Sequence, residues 1–254
     1  MKKTYYIFII LFLLVSSKIY ADNNSFEIGE KLVYEIKWGV ITAANLTLEV
    51  NPCEPIENIP VYHFVMSVKT SDFIDYFYKV RSLYESYTAQ DLSRSFIFKK
   101  KQREGSTKRE VIVNFDWNKK EASYSNFGKK EKITVLNTNT LDPLAILYFC
   151  RIIDLKEKTT IQRWVCDGKD NILSSAQILK RETKKIGIGS FDTYLIEPDL
   201  KSVGGVFKKT KNPSFKMWVT ADEKRTPVFI QSKVIVGSFV VELVAIESIE
   251  KNKK

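Results

Sequence analysis

The stretch that decides the fold is KLVYEIKWGVITAANLTLEV, residues 31–50. In residues 31–38 every second side chain from Leu32 onward is apolar, and residues 45–50 repeat that pattern. Successive side chains of a β-strand point to opposite faces of the sheet. A period of two therefore predicts two half-buried strands, and Gly39 between them supplies the bend.

The same alternation continues along most of the chain and predicts further strands. These strands are expected at residues 61–69, 95–103, 108–115 and 129–136. The segment REGSTKRE, residues 103–110, should join two of them as a hairpin, because Gly105 can adopt the positive φ that a tight turn requires.

The last hairpin has the clearest pattern. Residues 227–236 and 239–249 both alternate, and a two-residue turn that begins at Gly237 separates them. Glycine at the first central position favours a type II′ turn, which places Lys233 opposite Glu242 as a cross-strand charge pair. One face of the hairpin is then almost entirely apolar. A continuous bent strand with a bulge at Gly237 is the alternative.

One segment predicts a convincing helix. Asp142 is a favourable N-cap, Pro143 suits the first helical position, and residues 144–153 (LAILYFCRII) are apolar almost all round, which predicts a buried helix. Residues 71–77 predict one or two short turns. About a dozen strands against one helix is typical of a closed or nearly closed sheet. We expect a mainly β protein, with a strongly curved antiparallel sheet (barrel or half-barrel) and one buried helix.

The N-terminus has the organisation of a secretory signal peptide. Two lysines precede an apolar run over residues 5–15, and the small residue Ala21 stands before a polar stretch. Eleven apolar residues are too few for the roughly 20 that span a bilayer, so an uncleaved anchor is the weaker interpretation. We predict a signal peptide over residues 1–21, cleaved near Ala21, and a single β-rich periplasmic domain over residues 22–254 that is not an integral membrane protein.

The chain is basic, with a formal charge of +10, of which +7 remains on the side chains after the predicted cleavage. A basic balance often indicates a nucleic-acid partner, but export removes that opportunity and no nucleic acid is predicted. Anionic phospholipid, lipopolysaccharide or cell-wall polymer is the more available partner. The other interpretation is that the positive charge reflects overall composition and no binding partner, because lysine is abundant throughout the chain. The lysine clusters flank strands and turns, where they protect sheet edges.

Three cysteines occur in the chain: Cys53, Cys150 and Cys166. An exported compartment permits disulfides, and an odd number leaves one thiol over. Cys150 and Cys166 bracket the passage from the predicted helix to the next strand, so they are the candidate disulfide pair.

No group of residues predicts catalysis. The one histidine, His63, lies in an alternating strand on a face expected to be apolar, whereas acyl transfer usually needs a base beside a nucleophile. One histidine and three scattered cysteines offer no metal cluster, and no phosphate-binding loop indicates a cofactor. Carboxylate pairs that could cleave a glycan meet only in three dimensions. The candidates are Asp72 with Asp75, and Asp222 with Glu223, where a turn is the first interpretation.

Aromatic side chains are the remaining functional signal. A curved sheet rich in inward-facing aromatics can enclose a ligand, or the same rings can fill the interior, and both interpretations remain open. For an apolar or acyl-chain ligand with an anionic headgroup, the predicted contacts are Tyr34, Trp38, Phe207, Trp218 and Arg225.

Four ordered stretches carry a family resemblance. They are FEIGEKLVYEIKWGVITAANLTLEV (26–50), DPLAILYFCR (142–151), GSFDTYLIEP (189–198) and MWVTADEKRTPVFIQSKVIVGSFVVEL (217–243). In this order they resemble the opening signature, central helix, late strand and closing signature of the family called domain of unknown function 3108. The resemblance implies an exported bacterial protein without an established activity and a strongly curved antiparallel sheet.

Three functions follow from these observations. The leading hypothesis is a non-enzymatic periplasmic protein that binds a hydrophobic or lipid-like molecule or assists envelope assembly. The second is an interaction or scaffold protein that binds an envelope protein through an edge strand or the basic face. The third is a cell-wall polymer hydrolase, which requires paired carboxylates in one cleft.

Overall fold

The computed structural model describes residues 25–200, 210–235 and 237–248. Its strands are β1 (Glu30–Trp38), β2 (Ile41–Asn51), β3 (Val61–Thr70), β4 (Val80–Ala89), β5 (Ser95–Glu104), β6 (Thr107–Asp116), β7 (Glu121–Asn126), β8 (Lys129–Val135), β9 (Thr140–Leu141), β10 (Thr159–Cys166), β11 (Asn171–Ile186), β12 (Gly189–Pro198), β13 (Ser214–Thr220), β14 (Pro227–Val234) and β15 (Gly237–Ser248). Its helices are α1 (Asp72–Asp75) and α2 (Ala145–Ile152). The predicted signal peptide, residues 1–21, lies outside the described residues.

All fifteen strands belong to one sheet, in the order β8-β7-β6-β5-β4-β3-β2-β1-β15-β14-β13-β12-β11-β10-β9. Strands that follow each other in sequence are neighbours, except β8 and β9, and the pairing of β1 with β15 joins the two halves. Every pair is antiparallel except β9 with β10. The predicted mainly β fold is confirmed.

The two ends of this sheet must lie close together. Its edge strands, β8 and β9, are connected only by the four residues 136–139, which span at most about 18 Å. Side chains bridge the edges: Thr134 Oγ1 donates to Gly168 O (2.9 Å) and Asn171 Nδ2 donates to Val135 O (3.1 Å). No ladder pairs β8 with β9. The sheet is therefore curled but open, as a half-barrel.

The predicted N-cap of the buried helix is confirmed. Asp142 Oδ1 accepts the N–H groups of Leu144 (2.8 Å) and Ala145 (3.0 Å), two of the donors that the first turn of a helix leaves unpaired. Asp142 Oδ2 accepts the hydroxyls of Ser86 (2.5 Å) and Ser95 (2.6 Å). Burial raises the pKa of this carboxyl, and the four hydrogen bonds oppose that effect.

One face of α2 closes the main apolar cluster. Tyr148 stacks on Phe64 with ring centroids 3.7 Å apart. Arg151, whose side chain is 1% exposed, pairs with Glu30 at 2.5 Å and donates to Ser25 O (2.6 Å) and Lys224 O (3.1 Å). A buried guanidinium is tolerated when a carboxylate and further acceptors satisfy it. Arg151 thus ties the helix to β1 and to the β13–β14 turn.

The expected register of the last hairpin is wrong. Phe229 pairs with Glu242, and Lys233 pairs with Ser238, so the turn precedes Gly237 instead of containing it. The pairing of residues 229–234 with 237–242 moves by an even number of residues, which preserves their relative faces, whereas bulges interrupt the alternation farther along both strands. The glycine serves a different contact, because a Cβ on Gly237 would lie 2.6 Å from Trp38 Nε1.

Within the described residues, no helix has the length and apolar character needed to cross a membrane.

Candidate functional site

A cleft of about 700 Å³ lies between α2 and the strands β10 to β13. The helix contributes Ile146, Leu147, Phe149 and Cys150 to one wall. The opposite wall is mostly apolar and contains Ile161, Val165, Ile172, Ala176, Ile196, Phe215 and Met217. A concave, mainly apolar space of roughly 300–1,000 Å³ is typical of small-molecule sites. We call this space the larger cleft, and it is the candidate site.

Arg163 is the one Arg or Lys side chain among the described residues that line the larger cleft. Its Nη2 donates to Leu92 O (2.5 Å) and Ser93 O (3.1 Å), and its guanidinium carbon lies 4.6 Å from the ring centroid of Phe149. Burial lowers the pKa of Arg163, but a guanidinium remains charged. Arg163 has no ion-pair partner in the described part of the chain.

A smaller cleft, of about 330 Å³, lies on the other side of the first turn of α2. Apolar side chains from β3, β5 and β6 form its floor: Met66, Phe98 and Val111. Three cations and one carboxylate also line it: Lys100, Arg109, Lys169 and Asp167. Pro143 and Asp167 border both clefts, so the two spaces adjoin at the N-terminal end of the helix.

The residues predicted to contact a ligand are not brought together. Tyr34 is fully buried, and its hydroxyl donates to Pro227 O (2.9 Å); burial raises its pKa. Trp218 is buried and donates to Glu182 Oε1 (2.8 Å), whereas Trp38 is 49% exposed at the edge of the β1–β15 pair.

The remaining predicted contacts lie elsewhere. Arg225 lies in the β13–β14 turn, where its Nη1 donates to Arg151 O (3.4 Å). Phe207 lies outside the described residues. None of the described members of the predicted set lines either cleft.

Sequence reasoning missed the basic side chains that line the clefts. The sequence contains a signal for them: each basic residue lies two positions from an apolar residue in a strand, and therefore on the same face as that residue. Arg163 stands between Ile161 and Val165, and Lys100 follows Phe98 by two residues. A cation on the inner face of a strand is costly unless something compensates it, so such positions indicate a polar contact or a site.

The predicted disulfide is not formed, since all three thiols are free. Cys150 packs with Leu155 and Met217 in one apolar cluster, whereas Cys166 belongs to the main cluster around Tyr148. The two sulfurs are therefore enclosed by different sets of side chains. Burial raises the pKa of Cys150 to about 12 and that of Cys166 to about 11.

His63 does not lie on an apolar face as expected. Its Nε2 is 3.1 Å from Glu85 Oε2, and its ring stacks on Tyr87, its cross-strand partner, at 4.3 Å. The Tyr87 hydroxyl donates to the same carboxylate (3.2 Å). A partly exposed cross-strand group of this kind stabilises a sheet, and it lines neither cleft.

One carboxylate of each pair considered for hydrolysis has structural partners. Asp75 pairs with Arg81 at 2.5 Å and also accepts the hydroxyl of Thr70. Asp222 accepts the N–H of Arg225 (3.1 Å) and the hydroxyl of Thr220 (2.5 Å), as expected of a turn residue. In the described ranges, no three His, Cys, Asp or Glu side chains are arranged to hold a metal.

A group of exposed aromatics, which sequence reasoning also missed, follows β3. We call Phe73, Tyr76, Phe77 and Tyr78 the aromatic rim; they are 62%, 87%, 70% and 53% exposed. The segment is held to β2 where Ser71 N donates to Ala43 O (2.9 Å). Contiguous exposed apolar surface of this kind marks an interaction site more often than a scattered residue does.

Known structures resemble this chain in fold. A β-barrel-like protein from Brucella abortus, with domain of unknown function DUF1849, matches with a TM-score of 0.54 at 10% identity, covering 88% of this chain and 98% of its own. The hypothetical protein CT021 from Chlamydia trachomatis matches with a TM-score of 0.40 at 6% identity, covering 89% of this chain and 90% of its own. A Bacteroides fragilis protein, described as a candidate exported protein with a YmcC-like fold, matches with a TM-score of 0.40 at 7% identity, covering 87% and 97%.

No curated protein matches the sequence. The family model described as "Protein of unknown function (DUF3108)" matches residues 33–244, which confirms the resemblance found in the four sequence stretches. With that match over most of its length, the chain belongs to the DUF3108 family.

Proposed function

We propose that this protein binds a hydrophobic, lipid-like molecule in the larger cleft and acts in the periplasm without catalysing a reaction. The observation that carries the proposal is the apolar lining of a space of about 700 Å³ beside a buried helix. A sheet whose interior is filled leaves no such space. The signal-peptide pattern of residues 1–21 supports the location.

The cleft suits an apolar chain better than a compact polar molecule. Apolar side chains predominate on both of its walls, and each buried methylene of a ligand contributes about 0.8 kcal/mol. Three exposed carboxylates border the cleft, Asp167, Asp170 and Asp199, and Asp167 Oδ1 accepts the N–H groups of Lys169 and Asp170 in the β10–β11 turn. The binding energy would therefore come from apolar contact.

Binding of the uncharged dye N-phenyl-1-naphthylamine, and its displacement by dodecanol, tests the proposal. Ala176 lines the cleft on β11, and its neighbour Gln177 is exposed. The variant Ala176→Trp fills the cleft and should weaken dye binding at least tenfold. The control Gln177→Trp adds the same ring outside the cleft and should bind as the wild type does. Dye binding that is not saturable, or that both variants leave unchanged, would refute the site.

A second candidate function, interaction with an envelope protein, is favoured by the aromatic rim. A photo-crosslinking amino acid at Tyr76 should then yield one discrete adduct in cells, whereas the same group at the exposed Lys101 should yield none. Equal or diffuse crosslinking from both positions would argue against a specific partner.

A further inference from the structure

We propose that the smaller cleft is a headgroup site, so that the ligand is an anionic amphiphile with its chain in the larger cleft and its terminal oxyanion between Lys100 and Arg109. The inference rests on the proposed function and names the class of molecule that the site takes. The shared chemistry is an oxyanion on an aliphatic chain, from either a fatty carboxylate or an alkyl phosphate.

The register of β5 and β6 brings the two cations together on one face of the sheet. Lys100 pairs with Val111, and Gln102 pairs with Arg109, so Lys100 and Arg109 are diagonal neighbours. Side chains in that relation are close enough to contact one small ligand. Buried Phe98 and Val111 belong to the same face, which gives the cationic pair an apolar floor.

The charge of this pair is not compensated locally. Among the described residues, neither the Lys100 nor the Arg109 side chain forms an ion pair or a hydrogen bond, whereas Lys169 pairs with Glu131 at 3.3 Å. Asp167 uses one carboxylate oxygen for the N–H groups of its own turn. The smaller cleft therefore has a surplus of positive charge.

Lys100 is also partly withdrawn from water. Its ammonium lies 6.0 Å from the ring centroid of Tyr84, and burial, followed by repulsion from Arg109, lowers its pKa. Glu104 and Asp167 act in the opposite direction, though more weakly. A bound oxyanion would offset both the desolvation and the repulsion, because an opposite charge at short range favours the protonated amine.

The relation between the clefts sets the orientation of the ligand. Pro143 and Asp167 line both spaces at the N-terminal end of α2. The free N–H groups of that turn are already taken by Asp142, so the helix end does not compete for the headgroup. A ligand with its aliphatic chain in the larger cleft would thus direct its polar end toward Lys100 and Arg109.

Three ligands of equal chain length test the inference: dodecyl phosphate, dodecanoate and uncharged dodecanol, each measured by displacement of N-phenyl-1-naphthylamine. The wild type should bind at least one anionic ligand tenfold or more tightly than dodecanol. Preference for both anions indicates general oxyanion recognition, and preference for one names the headgroup.

The double variant Lys100→Met with Arg109→Met should remove that preference and leave dodecanol binding unchanged. Its matched control is Lys101→Met with Lys108→Met, which removes the same charge from the same two strands at exposed positions on the opposite face. The control should keep the preference, and thermal unfolding should show that both double variants fold.

The possible failures are distinguishable. Equal binding of all three ligands by the wild type overturns the headgroup site, and so does an equal loss of anion preference in the control variant. Neither result contradicts ligand binding in the larger cleft. Failure of all three ligands to bind refutes the headgroup site and the proposed function together. Anion binding that Ala176→Trp does not weaken also refutes both, because the chain would not occupy the larger cleft.

Discussion

The two faces of helix α2 have opposite environments although both are apolar in sequence. Tyr148 and Arg151 lie on a closed face, where the ring of Tyr148 stacks on Phe64 and Arg151 pairs with Glu30. Ile146 and Phe149 lie on an open face that lines the larger cleft. A helix that is apolar all round is expected to be buried. Here one face stabilises the fold, and the other is available for a ligand.

The closed face should be the more sensitive to mutation, and Arg151→Met should have the largest effect. The variant leaves Glu30 without its buried partner, and breaking a buried pair costs about 3–5 kcal/mol of unfolding free energy. Urea denaturation measures this loss. Arg181→Met is the control, since Arg181 and Asp192 form an exposed pair, and solvent screening leaves such a pair little effect on stability. Similar losses of unfolding free energy in both variants would show that the buried pair of Arg151 does not stabilise the fold more than an exposed pair.

Removal of the Asp142 cap at the N-terminal end of α2 should cause the second-largest loss of stability. Asp142→Ala deletes the acceptor for two helix N–H groups and leaves the hydroxyls of Ser86 and Ser95 without it. We expect a loss of about 2–4 kcal/mol of unfolding free energy from the cap and the lost hydrogen bonds of the buried hydroxyls together, although both hydroxyls still contact Thr88. Asp142→Asn keeps the acceptor Oδ1 and should lose less. A smaller loss for Ala than for Asn would show that the carboxylate is not the cap.

The open face can be probed by thiol chemistry. Cys150 is buried at the cleft wall with a pKa raised to about 12, and only a small fraction of it is thiolate at neutral pH. Iodoacetamide should therefore modify Cys53, which is partly exposed, before Cys150 or Cys166. All three should react after unfolding, with or without reductant. Mass spectrometry follows the order, and a requirement for reductant would contradict the free thiols.

Mutation of Asp75, which lies outside α2, should have the smallest effect on stability. The ion pair with Arg81 lowers the pKa of Asp75 to about 2, so its contribution is complete above the ordinary Asp pKa and is lost as the pH falls toward 2. The difference in thermal midpoint between the wild type and Asp75→Asn should shrink from pH 5 to pH 2. A difference that is constant over this range would show that the ion pair does not stabilise the protein.

Local pattern predicted the fold class well. Strands β1, β2, β5 and β6, the hairpin at Gly105 and the cap of α2 were all expected from alternation, turn residues and the Asp-Pro pair. These features depend on neighbours within a few residues. The faces of the hairpin were predicted only near its turn, because side-chain direction follows odd or even position until a bulge interrupts the alternation.

Features that depend on distant contacts were not predictable in the same way. The observed register of the last hairpin brings Gly237 against Trp38, which are about two hundred residues apart in sequence. The free state of Cys150 and Cys166 depends on which apolar cluster encloses each thiol. Of the aromatics chosen as ligand contacts, Tyr34 and Trp218 fill the core and Trp38 is partly exposed, since composition cannot distinguish these places.

The amino-acid sequence by itself determined a long antiparallel sheet with one apolar helix, because period-two and helical patterning act between near neighbours. Tertiary structure alone decided that the sheet stays open, that one face of the helix is packed, and that Lys100 and Arg109 meet in a separate cleft near the N-terminal end of the helix. Those outcomes depend on how fifteen strands curl to bring β8 near β9, a constraint that involves the whole chain at once.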